Sequence, residues 1–272
     1  MSNFSLRASL KLTGFDLKNN RRQIYGWCIS IFSIMFMYMI LFPSMQDMAK
    51  IKMEALPKEF LQFFDMQSMD DLSNFMGYFG MVFNLILIAM SIFAASFSAN
   101  LIYREEKTKT IEFLYSLEVS RTEIYVSKLI TAFAACLAVL LSAATSTIVC
   151  GYANGGETFI LSDLLQIIKI SGFCVFFFMA VSLLIAGITS RVGVAGVGSM
   201  VVLFCYVLGY LSKLLDTKAT WLAYFSPFQL FSPQNAVAIE HHTIVELGAY
   251  VALTVAFLIV GGVVYKRRDF NI

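Results

Sequence analysis

Six stretches of this chain run for about twenty residues or more without Asp, Glu, Lys, Arg or His: 23–46, 72–103, 129–156, 170–190, 192–212 and 247–265. About twenty apolar residues is what a helix needs to cross the hydrocarbon of a bilayer. The pattern therefore predicts six membrane-spanning helices, at about 23–46, 75–103, 129–153, 170–190, 192–212 and 247–265. A seventh uncharged run, 219–239, reads ATWLAYFSPFQLFSPQNAVAI. Pro227 and Pro233 each remove a backbone donor that lipid cannot replace, and Gln229, Gln234 and Asn235 add polar groups. This run is read as a re-entrant or interfacial hairpin between spans five and six, on the external side of the membrane.

The polar segment between spans two and three has a pattern of its own. Residues 104–128 read REEKTKTIEFLYSLEVSRTEIYVSK, with ten charges in twenty-five positions, five of each sign. Ile111, Leu114 and Tyr115 fall at i, i+3 and i+4, which predicts a short amphipathic helix over about 110–117. Ser120-Arg121-Thr122-Glu123 matches a capping box, so the third helix is expected to begin near Ser120, ahead of the lipid. Any loop between spans must be polar, but a bare linker has no need of an apolar stripe, whereas a docking surface for a soluble partner does. At the N-terminus, residues 1–22 carry five basic groups with Leu6, Leu10 and Leu17 at helical spacing. Two readings stand: an amphipathic helix along the inner membrane surface, or a basic tail, which Gly14 favours.

Composition agrees with lipid as the solvent. Mean hydropathy is +0.74, 58% of residues are hydrophobic, and 26 Phe and 14 Met occur in 272 residues. A water-soluble domain of this length could not bury so much apolar surface. The fold class expected is an all-α polytopic membrane protein forming a single transmembrane domain over 1–272. With both termini on the cytoplasmic side, the inner segments hold 14 of the 20 Lys and Arg, including Arg7, Arg104, Lys128, Arg191 and Lys266-Arg267-Arg268. That satisfies the positive-inside rule, and a seventh span would break it. The first apolar run follows Arg22 and is too long for a cleavable signal peptide. The external loop between spans one and two, with six acidic and three basic residues, reads as an ordinary solvated loop. No basic cluster interleaved with aromatics points to nucleic acid.

Candidate chemistry is sparse. The five cysteines, Cys28, Cys136, Cys150, Cys174 and Cys205, sit inside apolar runs without C-x-x-C spacing and read as small buried hydrophobes. Glu240-His241-His242 lacks a third spaced ligand and reads as a solvated turn, so no metal is expected. Metalloprotease, nucleophile-elbow and P-loop motifs are absent from the sequence, so the chain is not expected to be an enzyme by itself. Spans without ionisable groups disfavour a proton-coupled carrier or cation channel. They suit lipids, amphipathic peptides or hydrophobic drugs better than hydrated ions or sugars. Small residues recur at every fourth position, as Ser91, Ala95, Ala99, then Ala134, Ala138, Ser142, Ser146, then Ser182, Ala186, Ser190. Such rows allow close helix approach, within one bundle first and between subunits second. Asn84, the most polar group well inside a span, either lines a path or makes an interhelical hydrogen bond.

The charged segment resembles the cytoplasmic loop of ABC-2 type ABC-transporter permeases, through Glu105-Glu106, Thr110, Glu112, Leu114, Ser116, Ser120-Arg121 and Lys128. YFSPFQLFSP (224–233), with Ser226, Pro227, Phe228 and Pro233, resembles that family's segment between spans five and six, and YKRRDF (265–270) its basic end. Lys109 and Glu118 depart from the glycine and proline common there. The resemblance implies a coupling helix that docks on a separate ATP-binding subunit. Glu105, Glu106, Thr110, Glu112, Ser120 and Arg121 would form the transmission surface, and Ile111 and Leu114 would seat it. It implies two permease chains, identical or related, with two ATPases in a bacterial plasma membrane, and ATP and Mg held by the partner rather than by this chain. A polytopic membrane enzyme acting on lipids, and a non-transporting membrane anchor or immunity protein, are the alternatives.

Overall fold

In lipid each backbone donor needs a partner within its own segment or barrel, and helix is the only regular structure among the described residues. The computed structural model describes residues 5–51, 73–107, 120–189, 194–215, 220–233, 236 and 241–268. In chain order the helices are α1 (Leu6–Ile40), α2 (Phe42–Ile51), α3 (Phe75–Lys107), α4 (Arg121–Asn154), α5 (Leu161–Ile188), α6 (Val194–Leu214), the short α7 (Pro227–Leu230) and α8 (His241–Arg267). Two 3-10 stretches, Gly156–Thr158 and Thr220–Phe225, precede α5 and α7. Among the described residues, α1, α3, α4, α5, α6 and α8 are long and apolar enough to cross a membrane. The protein is an all-α polytopic membrane protein.

Successive long helices run antiparallel. At one end Tyr78 of α3 donates to the carbonyl of Tyr38 in α1 (3.0 Å), and the N–H of Phe75 reaches Thr158 Oγ1 beyond α4 (3.3 Å). At the other end Arg104 of α3 meets Asn20 of α1, and Arg268 after α8 meets the last turn of α5. The helices thus alternate direction from α1 to α8. All of the long-helix ends that carry runs of Lys and Arg gather at one pole, here the charged pole. α3 and α5 form the centre, where Phe79, Phe83, Leu87, Met90 and Phe93 of α3 and Cys174, Ala180 and Leu183 of α5 are fully buried. α1 lies chiefly on α4, and α8 chiefly on α5. The outer faces of α1, α6 and α8 expose apolar groups such as Ile29, Met200, Phe204 and Ile259, as a surface solvated by lipid requires.

The small-residue rows pack within the bundle. Ser91, Ala95 and Ala99 of α3 and Ser182 and Ala186 of α5 are buried, and Ser146 of α4 donates to the Phe32 carbonyl of α1 (3.1 Å); Ser190 lies outside the described residues. One close crossing uses glycines that the rows did not include. A Cβ on Gly187 of α5 would lie 3.1 Å from the carbonyl oxygen of Gly261 in α8.

Three expectations are corrected. Residues 6–22 are not a segment apart but the first turns of α1, which runs unbroken through Gly14 to Ile40. Its polar stripe, Ser9, Thr13 and Asp16, is buried against α4 and so holds the segment in line with the span. The same helix stops at Ile40 rather than 46. Pro43 has no N–H to give to Met39, and the Leu41 N–H turns back to the Tyr38 carbonyl (3.1 Å) before α2 begins. α5 begins at Leu161, nine residues ahead of the uncharged run, because Asp163 sits favourably in its first turn and Lys169 follows at the polar edge. The 219–239 run is broken at its prolines into the 3-10 stretch and α7, with Pro227 at a first-turn position. The helix expected over 110–117 lies outside the described residues.

Candidate functional site

The charged pole is built around the start of α4. Ser120 caps this helix: its hydroxyl accepts from the Glu123 N–H (3.2 Å), while Glu123 Oε2 accepts from the Ser120 N–H (2.7 Å) and hydroxyl (2.8 Å). Glu123 Oε1 also accepts from the N–H of Ser5, joining the N-terminal end of α1 to α4. Glu123 is buried and lies ahead of the apolar stretch of its helix. The Ser120 N–H first, then the Ser5 N–H, hold its carboxyl below the ordinary value of 4.5, outweighing the opposite effect of burial. Arg121 donates to the carbonyls of Lys266 (3.3 Å) and Arg268 (2.6 Å), and Arg268 in turn donates to the Ala186 carbonyl (3.0 Å) at the end of α5. These guanidinium groups satisfy carbonyls at helix C-termini, where the macrodipole favours a cation.

One helical turn deeper lies a buried ion pair. Lys128 Nζ of α4 sits 3.0 and 2.9 Å from the two carboxylate oxygens of Asp16 in α1. Ser127 donates to Asp16 Oδ2 (3.4 Å), and Thr13 reaches the Ser127 carbonyl (3.4 Å). A buried pair is costly to break from one side, because the remaining charge is left without its partner. In sequence Lys128 stands out as a basic residue just before a span and in the family resemblance, whereas Asp16 does not stand out. The signal that could have found it is the polar stripe Ser9, Thr13, Asp16 and Asn20, at helical spacing on a segment leading into the membrane.

The residues expected to couple to a partner divide accordingly. Ser120 and Arg121 are engaged in the cap and in carbonyl contacts, so they fix the loop's exit to the bundle. Glu105 and Glu106 fall in the last turn of α3. Thr110, Ile111, Glu112 and Leu114 lie outside the described residues. Beside the ion pair, between α1 and α3, a cavity of about 290 Å³ is lined by Asp16, Asn19, Asn20, Gln23, Asn100, Arg104 and Lys128, with Phe97, Leu101 and Tyr103.

The opposite pole brings together the remaining candidates. Phe228 stacks on Phe178 (5.2 Å between ring centres) and meets Tyr206 edge-on (5.6 Å). Pro227 and Pro233 are buried, as is Ser226, which packs on Gly209 of α6 where a side chain would not fit. Asn84 and Phe228 share a pocket of about 20 Å³ with Tyr206, Tyr210, Lys213 and Gln229. Asn84 Oδ1 is buried without a hydrogen-bond partner, so of the two readings for this residue the interhelical bond is not made through that oxygen. Among the described residues no three His, Cys, Asp or Glu side chains converge as a metal site.

The family described as "Multidrug efflux system permease Rv1217c, C-terminal domain" matches residues 11–266. The chain belongs to this family. The match takes in nearly all of the six long helices and the whole of the segment 104–128. No curated protein matches the chain. Membership of an efflux permease family makes the chain a transport component, with six helices apolar enough to cross a membrane among the described residues.

Proposed function

We propose that the chain is the membrane-spanning permease subunit of an ATP-driven, ABC-2 type exporter, with 104–128 docking on a separate ATP-binding subunit. The observation that carries this reading is the anchoring of both ends of that segment. Arg104 at its entry meets Asn20 of α1 (3.4 Å), and at its exit Ser120, Glu123, Arg121 and Lys128 are bonded to α1, α4 and the end of α8. A push on the segment therefore acts on a braced set of helices. Two such chains would rock as rigid bundles around a path between them. ATP and Mg belong to the partner subunit, two copies of which serve two permeases. The charged pole faces the cytoplasm of a bacterial plasma membrane, and the Ser226–Pro233 segment closes the outer side. Hydrophobic or amphipathic drugs are the substrate class suited to the uncharged interior and to a multidrug efflux family.

The test is purification of the tagged chain from its native cells in mild detergent, beside an Ile111→Asp/Leu114→Asp variant. Expected is a P-loop ATPase recovered in near-equal amount and lost in the variant. Membrane-inserted protein recovered without any ATPase would overturn the coupling and turn attention to lipid-enzyme assays. ATP-dependent drug efflux distinguishes an exporter from a membrane anchor that binds through the same loop.

A further inference from the structure

Away from the charged pole, α3, α6 and α7 enclose the small pocket that Asn84 lines together with Gly209 and Gln229. Asn84 stands in the apolar stretch MVFNLILI, is only 8% exposed, and keeps its Oδ1 buried without a hydrogen-bond partner. A buried acceptor left unpaired costs free energy that an arriving donor returns. A second such atom stands at the same wall. Ser226 Oγ is also buried and unpartnered, and both it and Gln229 Oε1 lie against Gly209, where the missing side chain leaves them room. A pocket bordered by oxygens that lack a donor is suited to a ligand that brings one.

Size and depth narrow the choice of ligand. At about 20 Å³ the pocket admits little more than one water, which needs ~10–15 Å³, so a hydroxyl fits and a ring does not. The described lining holds no carboxylate, which suits a neutral O–H rather than an ammonium group. Tyr206, Tyr210 and Lys213, half-buried along one face of α6, complete the wall. Tyrosine and a snorkelling lysine are typical of the membrane–water interface, the depth at which an amphipathic molecule keeps its polar end. Beside them on α6, Val207 and Leu211 are exposed and apolar.

We propose that this pocket takes the hydroxyl of a neutral amphipathic molecule, the O–H donating to Asn84 Oδ1 and the apolar body lying along Val207 and Leu211. As a subsite for exported cargo it rests on the efflux reading above and names the polar group that such cargo carries. Binding is measured on the full chain alone, so the absence of an ATPase partner leaves the site standing, and failure of the site leaves the coupling of 104–128 standing.

The experiment is equilibrium dialysis of the purified chain in detergent with decanol or fluorodecane, corrected for uptake by protein-free micelles. The two probes share one apolar body, and the fluorine matches the hydroxyl in size but cannot donate. Expected is a preference of about fivefold for decanol, the weight of one neutral hydrogen bond. Asn84→Leu should abolish that preference without lowering the ligand-free melting temperature, since it removes an acceptor that has no partner. Ser91→Ala, a buried unpartnered hydroxyl of α3 outside the pocket, should keep the preference. Equal binding of the two probes by the wild type would overturn the site without recourse to any variant. A preference that survives Asn84→Leu, or a marked fall in that variant's ligand-free melting temperature, would overturn the role given to Asn84.

Discussion

Replacing Lys128 by methionine leaves the Asp16 carboxylate enclosed without its cation. Breaking a buried pair from one side costs ~3–5 kcal/mol. The expected result is a large fall in melting temperature of the detergent-solubilised protein, most of it recovered in the Asp16→Leu/Lys128→Met double variant. No recovery would mean that the pair is not the unit that matters. Glu123 makes a second prediction at this scale. Its carboxyl is held below 4.5, by the Ser120 N–H foremost, so the stabilisation it contributes is complete above that value and is lost as pH falls through its lowered range. Melting curves of wild type and Glu123→Gln should therefore differ near neutral pH and converge in acid. Glu123 was legible in sequence as half of a capping box, a relation spanning three residues. Its bond to Ser5, across 118 positions, was not.

Helices end and meet for reasons that differ in range. Ser120→Ala removes a cap worth ~1 kcal/mol and should fray the start of α4, read as faster hydrogen exchange over its first turn. That boundary could be read directly from four consecutive residues. The crossing of α5 and α8 could not, because rows of serine and alanine do not reveal which glycine faces which. A Cβ on Gly261 would lie 2.7 Å from Tyr125 Oη and 3.3 Å from Leu184 Cα, whereas one on Gly196 of α6 meets nothing within 4 Å. Gly261→Val should cost ~1–3 kcal/mol by overpacking. Gly196→Ala should be neutral or stabilising by ~0.5–1 kcal/mol through chain entropy. Melting temperatures of the two variants decide it, and a tolerated Gly261→Val would refute the tight crossing.

For the whole molecule, the alternation of six helices puts both described ends, Ser5 and Arg268, at the charged pole. By the positive-inside rule this pole is expected to face the cytoplasm. In a background without the five native cysteines, a membrane-impermeant maleimide added to intact cells should label Lys213→Cys and spare Lys18→Cys and Arg267→Cys, which should react only after permeabilisation. The reverse pattern would invert the orientation and overturn the proposed coupling of 104–128 to a cytoplasmic ATPase.

The number of passes, their approximate places, the cap at Ser120 and the break at Pro227 were determined by the sequence itself. Each depends on the solvent seen by a contiguous run, or on bonds between residues a few positions apart. Tertiary structure alone decided that α1 continues through residues 6–22, that Asp16 meets Lys128 across 112 positions, and that α1 and α3 part to leave a polar cavity. These outcomes depend on which helix faces are brought together. A hydrophobic run states that a helix enters the membrane, but its neighbours are selected by close packing and by the pairing of the few polar groups it carries with it.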